Sequence, residues 1–259
     1  MELWKALLLG IVQGLTEFLP VSSSGHVILA GKLIGADGGL FFGVMLHAGT
    51  LIAVCFAYFS KITEMIRRDR RRIGYLLLAT LPAAAVGWFF GDAIDAVFFG
   101  GEWLWLFFAL TALLLLLAQR RMRRGGVLRP IDAKISLIAG GAQALAVIPG
   151  LSRSGTTLSA CILAGADREE AADFSFLMSI PIIAGAIVAE LFKVFSGSPF
   201  MAEISWLSLA AGSVAAAVCG FLSIRFVQKF VKRGSLTCFA VYLVLLSAAT
   251  LVAAACGVL

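Results

Sequence analysis

Pro149-Gly150-Leu151-Ser152-Arg153-Ser154-Gly155-Thr156-Thr157 interrupts an otherwise apolar part of the chain. It sets an arginine, flanking hydroxyls and two glycines between the runs Leu137–Ile148 and Leu158–Ala166. A lipid-facing helix tolerates neither the charge nor the break in backbone pairing. Such a segment must be shielded by protein or line a watery cavity.

The surroundings are those of a membrane protein. Hydrophobic residues make up 61% of the 259 and charged residues 14%, with a mean hydropathy of +0.99, far from the usage of soluble domains. The apolar runs are long, unlike the roughly ten-residue alternation of outer-membrane barrels, so one α-helical membrane domain over 1–259 is expected. The net charge of +6 sits in short basic runs between apolar segments, which sets topology and argues against a nucleic-acid partner. Cys55, Cys161, Cys219, Cys238 and Cys256 are scattered without metal-ligand spacing and read as packing residues. Met1–Leu9 lacks a basic n-region and a cleavage site, so no removable signal peptide is expected.

Six stretches are long enough to span: about Gly39–Ser60, Gly74–Ile94, Trp103–Gln119, Phe174–Phe195, Trp206–Phe226 and Leu236–Cys256. Two further apolar regions, Leu3–Ile34 and Ile135–Gly165, are each broken by a polar Gly/Pro element. Their halves are too short to cross about 30 Å of hydrocarbon, so each is expected to be a re-entrant helical hairpin. Basic residues follow the first, third and fifth spans (Lys61–Arg72, Arg120–Lys134, Arg225–Arg233), which makes that side cytoplasmic. Asp37, Asp92, Asp95, Glu102 and Glu203 mark the opposite side, where both termini are expected.

With three spans between them, the hairpins enter from opposite sides, as in an inverted repeat. An offset of 130 superposes Gly10 on Gly140, Gln13 on Gln143, Leu15 on Leu145, Ser22 on Ser152, Ser24 on Ser154 and Gly25 on Gly155. The halves are then about 1–129 and 130–259. Broken helices at matching positions of inverted halves point to a midplane site where the two polar stretches meet.

The first polar stretch is Gln13-Gly-Leu-Thr-Glu17-Phe-Leu-Pro-Val-Ser22-Ser23-Ser24-Gly25-His26. Gln13 and Glu17 share a helix face that Pro20 ends. A carboxylate at this depth binds a cation, titrates, or forms a structural ion pair with Arg153. His26, just past the serines, can exchange a proton with a hydroxyl near neutral pH. His47 has no such company and reads as a packing or cavity residue. In the second stretch, Ser154 or Gly155 is expected to cap a helix beginning near Thr156. Its free amides and positive dipole end, with Arg153 and the hydroxyls, make an anion site suited to phosphate. The two halves together combine a phosphate clamp with a carboxylate, a serine and a histidine, a set suited to phosphoryl transfer.

Glu17-Phe-Leu-Pro-Val-Ser-Ser-Ser-Gly-His26, Pro149-Gly-Leu-Ser-Arg-Ser-Gly-Thr-Thr157 and Asp167-Arg-Glu-Glu-Ala-Ala-Asp-Phe-Ser-Phe-Leu-Met-Ser-Ile-Pro181 resemble the motifs of the undecaprenyl-diphosphate phosphatases, the bacitracin-resistance proteins of the BacA type. The similarity runs over the whole chain. It implies removal of the terminal phosphate of undecaprenyl diphosphate, leaving the monophosphate carrier for cell-wall synthesis. It also implies a bacterial inner-membrane location, a divalent cation (Mg or Ca) and a site open to the outer face. The family's Glu/Gln-x-x-x-Glu motif maps to Gln13 and Glu17, so at most one carboxylate is available for the metal; the serine maps to Ser23, the histidine to His26 and the arginine to Arg153.

The expected catalytic set is therefore Glu17, Ser23, His26 and Arg153, with the metal at Glu17 and Gln13. Ser22, Ser24, Ser152, Arg153, Ser154, Gly155 and Thr156 are expected to bind the substrate phosphates. His26 serves as base for Ser23 or a water, and the polyprenyl tail lies between helices in contact with the bilayer. A second copy of the chain is a candidate partner. The competing readings are a transporter or flippase of a phosphorylated polyprenyl lipid and, with less to recommend it, an ion channel with Arg153 in its filter.

Overall fold

The computed structural model describes residues 1–36, 39–126, 128–195 and 205–257. They form eleven helices: α1 (Leu3–Phe18), α2 (Ser23–Ile34), α3 (Gly39–Ala57), α4 (Phe59–Arg68), α5 (Arg70–Phe98), α6 (Leu104–Arg124), α7 (Ala133–Leu145), α8 (Arg153–Leu163), α9 (Arg168–Phe195), α10 (Trp206–Lys232) and α11 (Thr237–Ala255). Asp37 and Glu203, expected to mark the outer side, lie outside the described residues.

Five helices, α5, α6, α9, α10 and α11, are long and apolar enough to cross a membrane. The expected first span differs from them: it breaks at Tyr58, and α4 leaves α3 at 67°. The composition explains the bend, because from Lys61 the sequence is too charged to continue through hydrocarbon. Several spanning helices also outrun the expected bounds. Hydropathy stops at the first charges, but α6 continues through Arg120–Arg124 and α10 to Lys232, where long basic side chains reach out of the apolar layer. Large apolar side chains stay exposed on the outside, among them Trp88 (78%) and Phe89 (75%), a pattern suited to lipid contact.

The two broken regions form helix pairs, α1–α2 and α7–α8, whose second members begin at Ser23 and Arg153, 130 residues apart. Each packs its first helix against a long helix of the other half of the sequence, α1 on α10 and α7 on α5. The first of these contacts needs small residues. A Cβ on Gly10 would lie 2.1 Å from the Gly212 carbonyl oxygen, so any side chain there would force apart two backbones that otherwise pack closely.

The start of α9 draws the basic segments to one end of the molecule. Glu170 pairs with Arg72, Asp173 with Lys61, and Glu169 lies 4.0 Å from Lys232. Tyr58, at the α3–α4 break, donates to Asp173 Oδ1 at 2.8 Å and accepts from Gln228. These pairs tie α4, α5 and α10 to the start of α9.

Candidate functional site

The first tip follows from Pro20. Helix α1 stops at Phe18, and after a four-residue break α2 begins at Ser23. Ser22, its N-cap, takes φ 72 and is the only non-glycine with positive φ among the described residues. Such a conformation costs about 1–3 kcal/mol. It turns the chain so that Ser22 Oγ accepts from Gly25 N (3.4 Å) and the next hydroxyl, Ser23 Oγ, donates to Glu17 Oε2 at 2.6 Å.

The second tip uses Gly150 at φ 92 to make a similar turn. Here the helix start differs from expectation. α8 begins at Arg153, capped by Ser152, whose extended backbone lets Oγ accept from Gly155 N at 3.1 Å. Arg153 is thereby the first helical residue, and its side chain reaches across to the other tip.

The tips touch through several bonds. Arg153 Nη2 donates to Glu17 Oε1 at 2.5 Å, Ser154 Oγ to the Leu19 carbonyl at 2.9 Å, and Gly150 N to Ser24 Oγ at 3.3 Å. Gly155 sits against Pro20, where a Cβ would come within 3.2 Å of the ring. The contact expected between the two polar stretches is thus formed, and so is the Glu17–Arg153 ion pair.

Glu17 is only 6% exposed and accepts from several donors. Besides Ser23 and Arg153 it accepts from Gln13 Nε2 at 2.8 Å, and His47 Nε2 lies 3.4 Å from Oε2. His47 is therefore part of the site rather than a packing residue. Its Nδ1 faces the Gly43 carbonyl at 2.8 Å. The ring is thus set between the Glu17 carboxylate and a backbone carbonyl.

Other expected residues are placed differently. Ser152 and Ser154 are buried and spent on the helix cap and the tip junction. Thr156 is buried with its hydroxyl unpartnered. His26 is not bonded to Ser23 or Glu17 among the described residues. Its Nδ1 meets the Ser22 carbonyl and its Nε2 the Tyr242 hydroxyl, each at 2.7 Å. Sequence reading also missed Ser175, whose carbonyl accepts from Arg153 Nη1 at 3.2 Å and whose hydroxyl meets Thr157 Oγ1 at 2.6 Å. Thr111 was missed as well; it accepts from Ser152 N at 3.1 Å.

No group of three or more His, Cys, Asp or Glu side chains suited to a metal occurs among the described residues. Glu17 alone does not form a cage. One carboxylate with the Gln13 amide oxygen and the Ser23 hydroxyl does fit a hard cation that takes its remaining ligands from phosphate oxygens, a common arrangement for Mg²⁺.

A helical protein that crosses the membrane several times, with a buried charged junction built from two broken helix pairs, is the class defined by this fold and site. Residues 6–249 match the model of the bacitracin resistance protein BacA family. The chain belongs to that family. Its similar relatives include the undecaprenyl-diphosphatase of Carboxydothermus hydrogenoformans, 37% identical over 259 residues and covering 99% of each chain. That of Moorella thermoacetica is 41% identical with 96% of each covered, and that of Rubrobacter xylanophilus is 42% identical with 93% of this chain and 94% of the relative covered.

Proposed function

We propose that this chain hydrolyses undecaprenyl diphosphate to undecaprenyl phosphate and inorganic phosphate, returning the carrier lipid to cell-wall synthesis. The observation that carries the reading is the junction of Ser23, Glu17 and Arg153: a hydroxyl already bonded to a carboxylate that is held by a guanidinium. Arg153 exchanges Glu17 for the substrate's phosphate oxygens, which it binds in bidentate fashion. The amides opening α8 and the unpartnered Thr156 hydroxyl add donors for the same anion.

Glu17, released from Arg153, takes the Ser23 proton as Ser23 Oγ attacks the terminal phosphorus. The bridging P–O bond breaks and undecaprenyl phosphate leaves with that oxygen. A water then attacks the phosphoserine and gives its proton to His26; the Ser23 Oγ–P bond breaks, Ser23 Oγ takes back the proton held by Glu17, and inorganic phosphate departs. Mg²⁺ or Ca²⁺, held by Glu17 and Gln13 together with the diphosphate, would neutralise phosphate charge.

The architecture we propose is six spans and two re-entrant hairpins in an inverted repeat, halves about 1–129 and 130–259. Its support is the 130-residue correspondence of the helix starts and the paired contacts α1–α10 and α7–α5. The positive-inside rule then puts the basic end in the cytoplasm of a bacterial inner membrane, with the site reached from the outer face. The basic residues at that end lie in short runs between apolar segments, a placement that serves topology rather than nucleic-acid binding; a second copy of the chain is the proposed protein partner.

The test is phosphate release by purified protein in detergent from long- and short-chain prenyl diphosphates, with and without chelator. Turnover abolished by chelator and restored by Mg²⁺ or Ca²⁺ is expected. A flippase or transporter would release no phosphate, and unchanged turnover in chelator would remove the cation from the scheme.

A further inference from the structure

We propose that Tyr242, on α11, is the positioning residue for His26, holding its Nε2 lone pair and the plane of its ring while the Ser22 carbonyl sets the tautomer. The proposal rests on the reading of His26 as a proton-transfer group, and the measurements below separate failure of one from failure of the other.

Two contacts define the imidazole. Nδ1 lies 2.7 Å from the Ser22 carbonyl, which can only accept, so Nδ1 carries a proton. Nε2 lies 2.7 Å from the Tyr242 hydroxyl. In the neutral ring Nε2 offers a lone pair, and the phenol donates to it. The groups around the ring are neutral: the Ser22 carbonyl, the Phe108 ring at 5.7 Å from α6, and the Tyr242 ring. None of them would hold a second proton in place.

Tyr242 also sets the ring's orientation. Its ring stacks on His26 with centroids 5.7 Å apart and planes 16° from parallel. A histidine on the first turns of α2 could otherwise swing to another rotamer. The stack and the hydrogen bond together leave one orientation, with Nδ1 tied to the strained Ser22 and Nε2 kept as the basic nitrogen. A proton acceptor needs its lone pair on the nitrogen that reaches the reacting oxygen, and a partner that fixes the tautomer is worth as much as the ring's position. Tyr242 is 44% exposed, so its hydroxyl can move aside for a substrate or water oxygen without unpacking the core.

The chain has only two histidines, which makes the tautomer directly observable. The full-length protein, labelled with ¹⁵N-histidine in lipid nanodiscs, gives two imidazole spin systems, and the His47→Asn protein assigns the His26 set. Wild-type protein is expected to show His26 protonated at Nδ1 and bare at Nε2. In Tyr242→Phe, which keeps the stack and loses the hydroxyl, Nδ1 should stay protonated on the Ser22 carbonyl and the Nε2 shift should move off its hydrogen-bonded value. kcat should fall by about tenfold with KM within about twofold and an unchanged thermal midpoint. Tyr242→Leu, which removes the stack as well, should fall further. Wild-type nitrogen shifts and wild-type kcat in Tyr242→Phe would overturn the proposal. A moved Nε2 shift with an unchanged kcat would leave Tyr242 as the residue that holds the ring and would instead overturn the catalytic reading of His26.

Discussion

The two hairpin tips are alike in sequence and differ in how they use their hydroxyls. On the first tip Ser23 is half-buried and bonded to Glu17, and Ser22 holds a strained turn. On the second, Ser152 and Ser154 are buried and engaged in a helix cap and in the Leu19 carbonyl. Only Arg153 crosses from the second tip into the charged centre. One tip therefore holds the bonded hydroxyl and carboxylate, and the other supplies the guanidinium and the joint between them. The difference teaches that matched serines at a 130-residue offset need not share a role.

The contrast can be broken by substitution. Glu17→Gln should have the largest effect, lowering kcat by about 10³-fold, because Ser23 loses its proton acceptor; a rate within tenfold of wild type would remove Glu17 as the base. Ser23→Ala should lower kcat by about 10²-fold or more, and phosphoserine should be trappable in a single turnover of the wild type. Full-rate hydrolysis by Ser23→Ala would assign the attack to water. Arg153→Lys keeps the charge but loses the fork, so kcat/KM should drop at least about tenfold, or about 1.4 kcal/mol; wild-type kinetics would dissolve the clamp.

The smallest change in rate sharpens the comparison most. Ser154→Ala should leave kcat within about threefold while costing about 1 kcal/mol of stability, read as a lower thermal midpoint in detergent. The reverse pattern, a stable protein with a lost rate, would move Ser154 from the joint to the chemistry.

Much of this was legible in the chain. Pro20 and Pro149-Gly150 announce the breaks, the apolar runs announce the spans, and a carboxylate and a guanidinium at membrane depth announce each other. What was not legible depends on separation. Tyr242 meets His26 across 216 residues and Ser175 meets Arg153 across 22; Tyr242 carries no local pattern, and Ser175, although inside the Asp167–Pro181 stretch, is not marked off there from its neighbours. His47 did carry a signal, since an ionisable side chain inside an apolar run is costly unless used. Its distance from the serine cluster hid the partner. The start of α8 was misplaced by three residues because Ser152, Ser154 and Gly155 are all competent caps, and only backbone geometry distinguishes them.

The 136 residues separating Glu17 from Arg153 bear on how the protein is made. During synthesis the first hairpin emerges with a carboxylate and no guanidinium to meet it. His47, thirty residues on, reaches it from within the same half of the chain. The tips can lock only after the second half has been inserted, so a nascent chain halted before α7 should hold its first hairpin loosely at the membrane surface. Protease accessibility of such halted chains would time the closing of the joint.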